Sequence, residues 1–453
     1  MSTIAIAAEA SASRPATALY RAVWRWHFYA GLLVLPFLLL MATTGALYLF
    51  KDEIDAVVYR DYLHVEPSQM QTVIAPSAMI AAARAAYPGV ATRLVPPRSA
   101  DMSAEVGITD EAGRGLSVYV NPYGGEVLGA IPDESKLMGI VRKLHSLDYF
   151  GWVANRAIEI VAGWAIVLVV TGFYLWWPRG RSGGVWKPRN AAGRRTFWRD
   201  LHAVTGAYVG VVILFLAVTG MPWSGFWGDK VNRFVNENGL GYPHEYWENV
   251  PKSTVPMGEA LTQTSWSLEN APMPASVETG AAPIGIDRAI AIFGELGVPK
   301  GYIVDLPGGP EGVYSASAFT DRVAAQRVVH LDQYTGEPLF NAGFAALGAG
   351  AKAIEWSISV HMGQEFGFAN QLVMLAACLS TIAMAVAALV MWWKRRPKGA
   401  LGAPPLPANF RAGPVILGIA VAVGIVFPLV GASLLAVLLI DWLLPRSIKR
   451  RWA

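Results

Sequence analysis

The chain is poor in charge and nearly devoid of cysteine. Only 15% of its 453 residues are Asp, Glu, Lys or Arg, and the single cysteine, Cys378, lies inside an apolar run. One cysteine excludes an intrachain disulfide and the CxxCH attachment of a c-type haem. No GxGxxG follows a strand-like stretch and no Walker loop occurs, so no nucleotide or flavin domain is expected. The formal net charge of +4 is small and concentrated beside apolar runs, which speaks for membrane topology rather than nucleic acid. No cleavable signal peptide is expected, because the first apolar run exceeds an h-region and lacks a cleavage site. A hydrophobic share of 54% is that of a membrane protein with soluble parts.

Apolar runs fall at 28–50, 157–177, 203–223, 371–393 and 413–445. A hydrocarbon core of about 30 Å takes about 20 helical residues, so the first four runs fit one span each. The fifth is too long for one upright span and carries Pro428 near its middle, so it is a bent helix or a hairpin. Arg14, Arg21 and Arg25, the stretch "PRGRSGGVWKPRNAAGRRTFWR" (178–199), "KRRPKG" (394–399) and "RSIKRR" (446–451) are all expected on the cytoplasmic side. The last of these favours the hairpin.

The expected order is therefore a cytoplasmic tail (1–19), a first span (20–50), a first external domain (51–140) and a second span (141–178). A cytoplasmic loop (179–198), a third span (199–225), a second external domain (226–352) and a fourth span (353–393) follow. A linker (394–412), the C-terminal membrane segment (413–445) and a basic tail (446–453) complete the chain.

Much of this order is written twice. "RAVWRWHFYAGLLVLPFLLLMATTG" (21–45) matches "RTFWRDLHAVTGAYVGVVILFLAVTG" (195–220), placing His27 on His202, Gly31 on Gly206 and Thr44 on Thr219. "LHSLDYFGW" (144–152) matches "VHMGQEFGF" (360–368), placing His145 on His361. The external segments repeat a glycine-turn hairpin, "VYVNPYGGEVLG" (118–129) and "VVHLDQYTGEPLF" (328–340), each after an alanine-rich helix. The expected fold is an α-helical membrane bundle built from a duplicated span–external domain–span unit, with two small α+β external domains. Both copies run in the same direction, as parallel repeats.

Four histidines sit in this repeat. His27 and His202 open spans one and three; His145 and His361 precede spans two and four. From His27 to Gly45 a helix climbs roughly 27 Å, so topology places the two pairs near opposite membrane faces. A lone interfacial histidine is commonly just an anchor, but ionisable residues at spans are functional candidates, and four in duplicate register point to ligands. Facing histidines can bind a metal or both axial positions of a haem. Gly31 and Gly206, one turn from their histidines, offer the flat surface a haem needs. Arg25, Arg199, Arg142 and Lys143 offer cations for its propionates. Zinc, the competing metal, wants three or four converging ligands. Two histidines per face suit two non-covalent, bis-histidine b-type haems better. His64, His244 and His330 read as surface or domain-core residues. Tyr149, Phe150, Trp152, Phe366 and Phe368 form either an interface belt or the wall of a ligand cleft.

The motifs "WRWHFYAG", "NPYGGEVLG", "LHSLDYFG", "TGFYLWWPR", "WRDLHAVTGAY", "TGMPWSGFWG" and "MWWKRRP" together resemble the PepSY-associated transmembrane proteins of the iron-regulated membrane protein and ferric-siderophore reductase type. The resemblance covers about residues 18–396. It implies two PepSY-like periplasmic domains and a bacterial inner-membrane b-haem oxidoreductase ligated at His27, His145, His202 and His361. His145 and His361 would be the electron exit. A periplasmic ferric siderophore or other ferric chelate would be the acceptor, and a quinol or a separate protein the donor, with lipid around the bundle and no nucleic acid. The external domains also resemble modules linked with peptidase inhibition. That implies a second reading, a sensor or binding protein that recognises a peptide or regulates a protease without redox activity.

Overall fold

The computed structural model describes residues 15–67, 72–180, 183–189, 193–242, 250–397 and 414–443. Arg14, His244 and the basic stretch 446–451, which entered the reading above, lie outside them. The helices are α1 (Pro15–Tyr48), α2 (Lys51–Val58), α3 (Arg60–Leu63), α4 (Pro76–Ala86), α5 (Leu137–His145), α6 (Trp152–Trp176) and α7 (Arg195–Gly220). They continue with α8 (Gly225–Glu237), α9 (Met257–Ala260), α10 (Gly285–Glu295), α11 (Ala349–His361), α12 (Phe368–Arg395), α13 (Pro414–Val426) and α14 (Pro428–Leu443). The strands are β1 (Val90–Val95), β2 (Ala104–Thr109), β3 (Gly115–Val120), β4 (Val127–Pro132) and β5 (Lys252–Pro256). Then come β6 (Pro272–Pro274), β7 (Ile303–Asp305), β8 (Val313–Ala318), β9 (Arg327–Asp332) and β10 (Pro338–Gly343). Contacts divide the chain into two compact units, one of Met1–Thr43, Ala157–Val218 and Ala377–Ala453, the other of Thr44–Arg156 and Thr219–Ala376.

Four helical stretches are long and apolar enough to cross a membrane: Leu19–Tyr48, Trp152–Trp176, Arg195–Trp223 and Phe368–Arg395. A helix satisfies its backbone internally, as hydrocarbon demands. The protein is a membrane protein with a large antiparallel sheet.

Two expected spans begin later than the sequence suggests. Segment 141–178 is two helices, α5 and α6, and segment 353–393 is α11 and α12. The interruptions are conformational. Leu147 and Gly151 have positive φ (59° and 91°), as do Gly363 and Gly367 (77° and 61°), and a residue in that region ends a right-handed helix. His145 and His361 are each the last residue of the short helix before the break.

The C-terminal membrane segment folds back on itself. A Cβ built at Gly431 would lie 2.8 Å from the Gly424 Cα, whereas a continuous helix would separate them by about 10 Å. Pro428 opens the second limb. The limbs have 13 and 16 residues, short of the roughly 20 that a span requires. The hairpin packs on α6. Trp164 Nε1 donates to Ser433 Oγ at 3.0 Å, and a Cβ at Gly163 would come within 2.5 Å of Val430.

In the second unit eight strands form one sheet, ordered β10-β9-β8-β7-β1-β2-β3-β4 and antiparallel throughout, and β5 and β6 pair separately. The two polar segments, read from sequence as separate domains, therefore join through the β1–β7 pair. Helices α4 and α10 share one face, tied by Ser77 donating to Asp287 from its backbone N (2.8 Å) and its Oγ (2.6 Å). Met79, Leu94, Val106, Val118, Phe293 and Val329 fill the core beneath them. The hairpin turns expected at 118–129 and 328–340 have matching form. Gly125 and Gly336 each have φ 74°, and Asn121 and Asp332 accept the same side-chain bond from the backbone of Tyr123 and Tyr334.

The opposite face carries polar residues. The register aligns His330, Ser315, Asp305, Arg93, Gly107 and Ser117 in one row across six strands. Gly107 is required there, because any Cβ would collide with the Arg93 side chain crossing it.

Candidate functional site

The first unit brings His27 and His202 together. Their ring centres are 6.2 Å apart and the planes are nearly perpendicular, at 88°. His27 Nδ1 lies 2.9 Å from Thr171 Oγ1. That hydroxyl already donates its proton to the Val167 carbonyl at 2.7 Å, so it accepts from His27, and Nδ1 carries the hydrogen. His202 Nδ1 lies 2.9 Å from the Met384 carbonyl oxygen, which can only accept. Both rings are thereby fixed in one tautomer, with the lone pair on Nε2.

A metal ion bonded to one nitrogen of each ring at about 2.0–2.1 Å sets the ring centres about 6 Å apart. Among the described residues no three His, Cys, Asp or Glu side chains converge. The donor set is two imidazoles and not the three or four ligands of a zinc site. Small residues leave room beside the rings. A Cβ at Gly172 would touch His27 Cε1 at 3.4 Å, one at Gly206 would press on Met384 Sδ at 3.3 Å, and one at Gly31 would meet only Leu168 at 3.8 Å.

The cations named from sequence have mixed fates. Arg199 pairs with Asp200, which is 1% exposed and is also held by Arg189 Nε at 2.8 Å. The Arg25 guanidinium lies over the Tyr29 ring, 5.0 Å from its centre.

The second unit holds the other pair in a parallel manner. His145 Nδ1 is 3.1 Å from Thr44 Oγ1, and His361 Nδ1 is 2.8 Å from Thr219 Oγ1. Burial, and then the neighbouring His145, push His361 on α11 down to about 3, so the ring is neutral and suited to coordination. A Cβ at Gly220 would sit 3.9 Å from His361 Cε1. Arg142 and Lys143 occupy the last turn of α5 beside His145 and meet no carboxylate among the described residues. Tyr149, Phe150, Trp152, Phe366 and Phe368 are all exposed.

Thr171 and Gly172 went unassigned in the sequence reading. A partial signal was there: within the membrane helices "TG" occurs at 44–45, 171–172, 205–206 and 219–220, and the threonines at 44, 171 and 219 meet a histidine Nδ1. The Met384 carbonyl had no such signal, because any residue could supply it. His64 and His330 stay outside both sites. His64 is half-exposed, 3.7 Å from Asp101. His330 is fully buried in the sheet beside Ser315, at 2.8 Å, and burial lowers it to about 3.

A buried carboxylate and a half-buried neighbour also escaped notice. Glu355, six residues before His361 on α11 and 4% exposed, accepts from the Trp266 backbone N at 2.9 Å. Burial, reinforced by Glu269, raises it to about 7; burial and Asp229 do the same for Glu269. A carboxyl raised in the folded state favours folding fully below its ordinary value of 4.5 and loses that advantage as pH climbs to its folded value. Thermal stability of the purified protein is therefore expected to fall as pH rises from about 5 to about 7, and Glu355→Gln to flatten that slope. Tryptophan fluorescence melts check this; identical slopes would show that Glu355 is not ionising there.

Residues 24–395 match the family described as PepSY-associated TM region. No curated protein matches the chain.

Proposed function

We propose a function from the premise that the chain belongs to the PepSY-associated TM family: a di-haem membrane oxidoreductase that passes single electrons to a periplasmic ferric siderophore and so releases ferrous iron. The observation that carries this reading is the His27–His202 pair, two rings 6.2 Å apart with both Nδ1 hydrogens committed elsewhere. Its counterpart is the threonine-held pair His145 and His361. The recurrence of these contacts, and of the two sheet hairpins, supports reading the chain as two copies of one unit, placed in the bacterial inner membrane with the sheet outside.

When bound, b-type haem would supply a one-electron carrier at each pair. The chain's own residues do the rest. Each histidine would give a neutral Nε2 lone pair. The threonines and the Met384 carbonyl hold the rings in orientation. The small residues Gly31, Gly172, Gly206 and Gly220 keep space open beside them. Arg142 and Lys143 place positive charge beside the His145 pair, where propionates or an anionic chelate would be drawn. Reduction of the substrate weakens its hold on iron, because ferrous iron is softer and less charged than ferric. The described cytoplasmic stretches contain no nucleotide motif, so a quinol or a separate protein supplies the electron.

The test uses the full chain in detergent, reduced with dithionite and mixed anaerobically with a ferric siderophore. Reoxidation in the Soret region together with ferrous iron trapped by ferrozine is expected, and a gallium siderophore should leave the pigment reduced. A pigment indifferent to ferric chelates but oxidised by another acceptor would overturn the substrate assignment. A folded, colourless protein would overturn the redox reading in favour of a peptide-binding or protease-regulating membrane protein.

A further inference from the structure

The histidines are alike, but their hydrogen-bond acceptors are not. At the His145 pair both Nδ1 atoms face threonine hydroxyls. At the His27 pair one faces a hydroxyl and the other a peptide carbonyl. The sequence explains the difference. At the offset of 216 residues that places His145 on His361, Thr171–Gly172 of α6 corresponds to Ala387–Ala388 of α12. With no hydroxyl at 387, the His202 ring takes the Met384 carbonyl instead.

We infer that these acceptors set the two sites at different reduction potentials, the His27/His202 site lower, with Thr171, Thr44 and Thr219 acting as positioning residues through their histidines. The inference rests on the di-haem reading and deepens it. A hydrogen bond from Nδ1–H to an acceptor makes the imidazole a stronger donor at Nε2. A stronger donor stabilises ferric over ferrous iron and lowers the potential. A peptide carbonyl, carrying a larger dipole than a hydroxyl, takes more of the Nδ1 hydrogen. Electrons that enter at the His27 pair would then run downhill to the His145 pair, a direction written into the side chains without any nucleotide domain.

The experiment is a spectroelectrochemical titration of the intact protein, beside Thr171→Val, Thr44→Val and Thr219→Val. Valine keeps the shape and removes the acceptor, and Thr→Ser at each position is the rescue. Two waves are expected. Thr171→Val should shift only the lower one upward, Thr44→Val and Thr219→Val only the upper one, and each serine variant should titrate like the parent. If a valine variant loses its pigment, its serine partner decides: parental potentials keep the hydroxyl's role, and pigment lost there too counts against it. Unshifted waves in pigmented valine variants, or a lower wave that responds to Thr44 and Thr219, would overturn this inference and leave the di-haem reading standing. A colourless parent overturns both.

Discussion

His202→Ala is expected to leave the purified protein with one extractable haem where the parent carries about two per chain. The remaining haem should still be reducible. His202 supplies one of only two converging imidazoles in its unit, and removing it leaves His27 alone, with its Nδ1 tied to Thr171. A haem at this site would then have one protein ligand instead of two. His27→Ala should remove the same haem, and His145→Ala or His361→Ala the other. Pyridine haemochrome assay after acid-acetone extraction counts the pigment, and the absence of CxxCH means that extraction should be complete. Spectra sort the variants into pairs. Grouping of His27 with His145 would show the pairing to be wrong, and unchanged content in all four variants would remove the histidines from the site altogether. Addition of free imidazole to His202→Gly should restore part of the lost absorbance, which separates a missing ligand from a misfolded chain.

The second large effect concerns the sheet. Arg93 on β1 is 13% exposed and donates to Asp133 (2.9 and 3.1 Å), Glu105 (3.1 Å) and Ser117 (2.7 Å). Lys136 adds a second cation on Glu105 at 3.0 Å. Burial by itself would raise both carboxyls. For Glu105, Lys136 and Arg93 more than reverse that; for Asp133, bonds from Arg93 and Ser117 do so. Arg93→Met is expected to cost about 1–3 kcal/mol, because two partly buried carboxylates lose its charged hydrogen bonds while Glu105 keeps Lys136. A carboxyl depressed in the folded state stabilises above its unfolded value and loses that contribution as pH falls through the folded one. Acid unfolding should accordingly begin at higher pH in Arg93→Met than in the parent. Circular dichroism melts in the strand region across that range measure it. A variant as stable as the parent, with the same acid midpoint, would mean that solvent already screens the cluster.

Several features were legible in the residues alone. Run lengths and the hydrocarbon thickness determined four spans, because backbone satisfaction in lipid leaves a helix little alternative. Glycine turns determined both hairpins, since Gly125 and Gly336 occupy positive φ. The recurrence of His27 and His145 at fixed offsets marked the candidate ligands before any contact was known, because side-chain chemistry is a property of the residue type. Tertiary structure decided what depended on distant partners. It ended α5 and α11 at His145 and His361, just before Leu147 and Gly363 take positive φ. It joined two polar segments through β1 and β7, a pairing between residues some 200 positions apart that no local period encodes. It also gave His27 a threonine on α6 and His202 a carbonyl on α12. Sequence can supply a hydroxyl and an imidazole, but the ring tautomer is fixed only when a particular oxygen stands within hydrogen-bonding distance of a particular nitrogen, and that distance is set by how the helices pack.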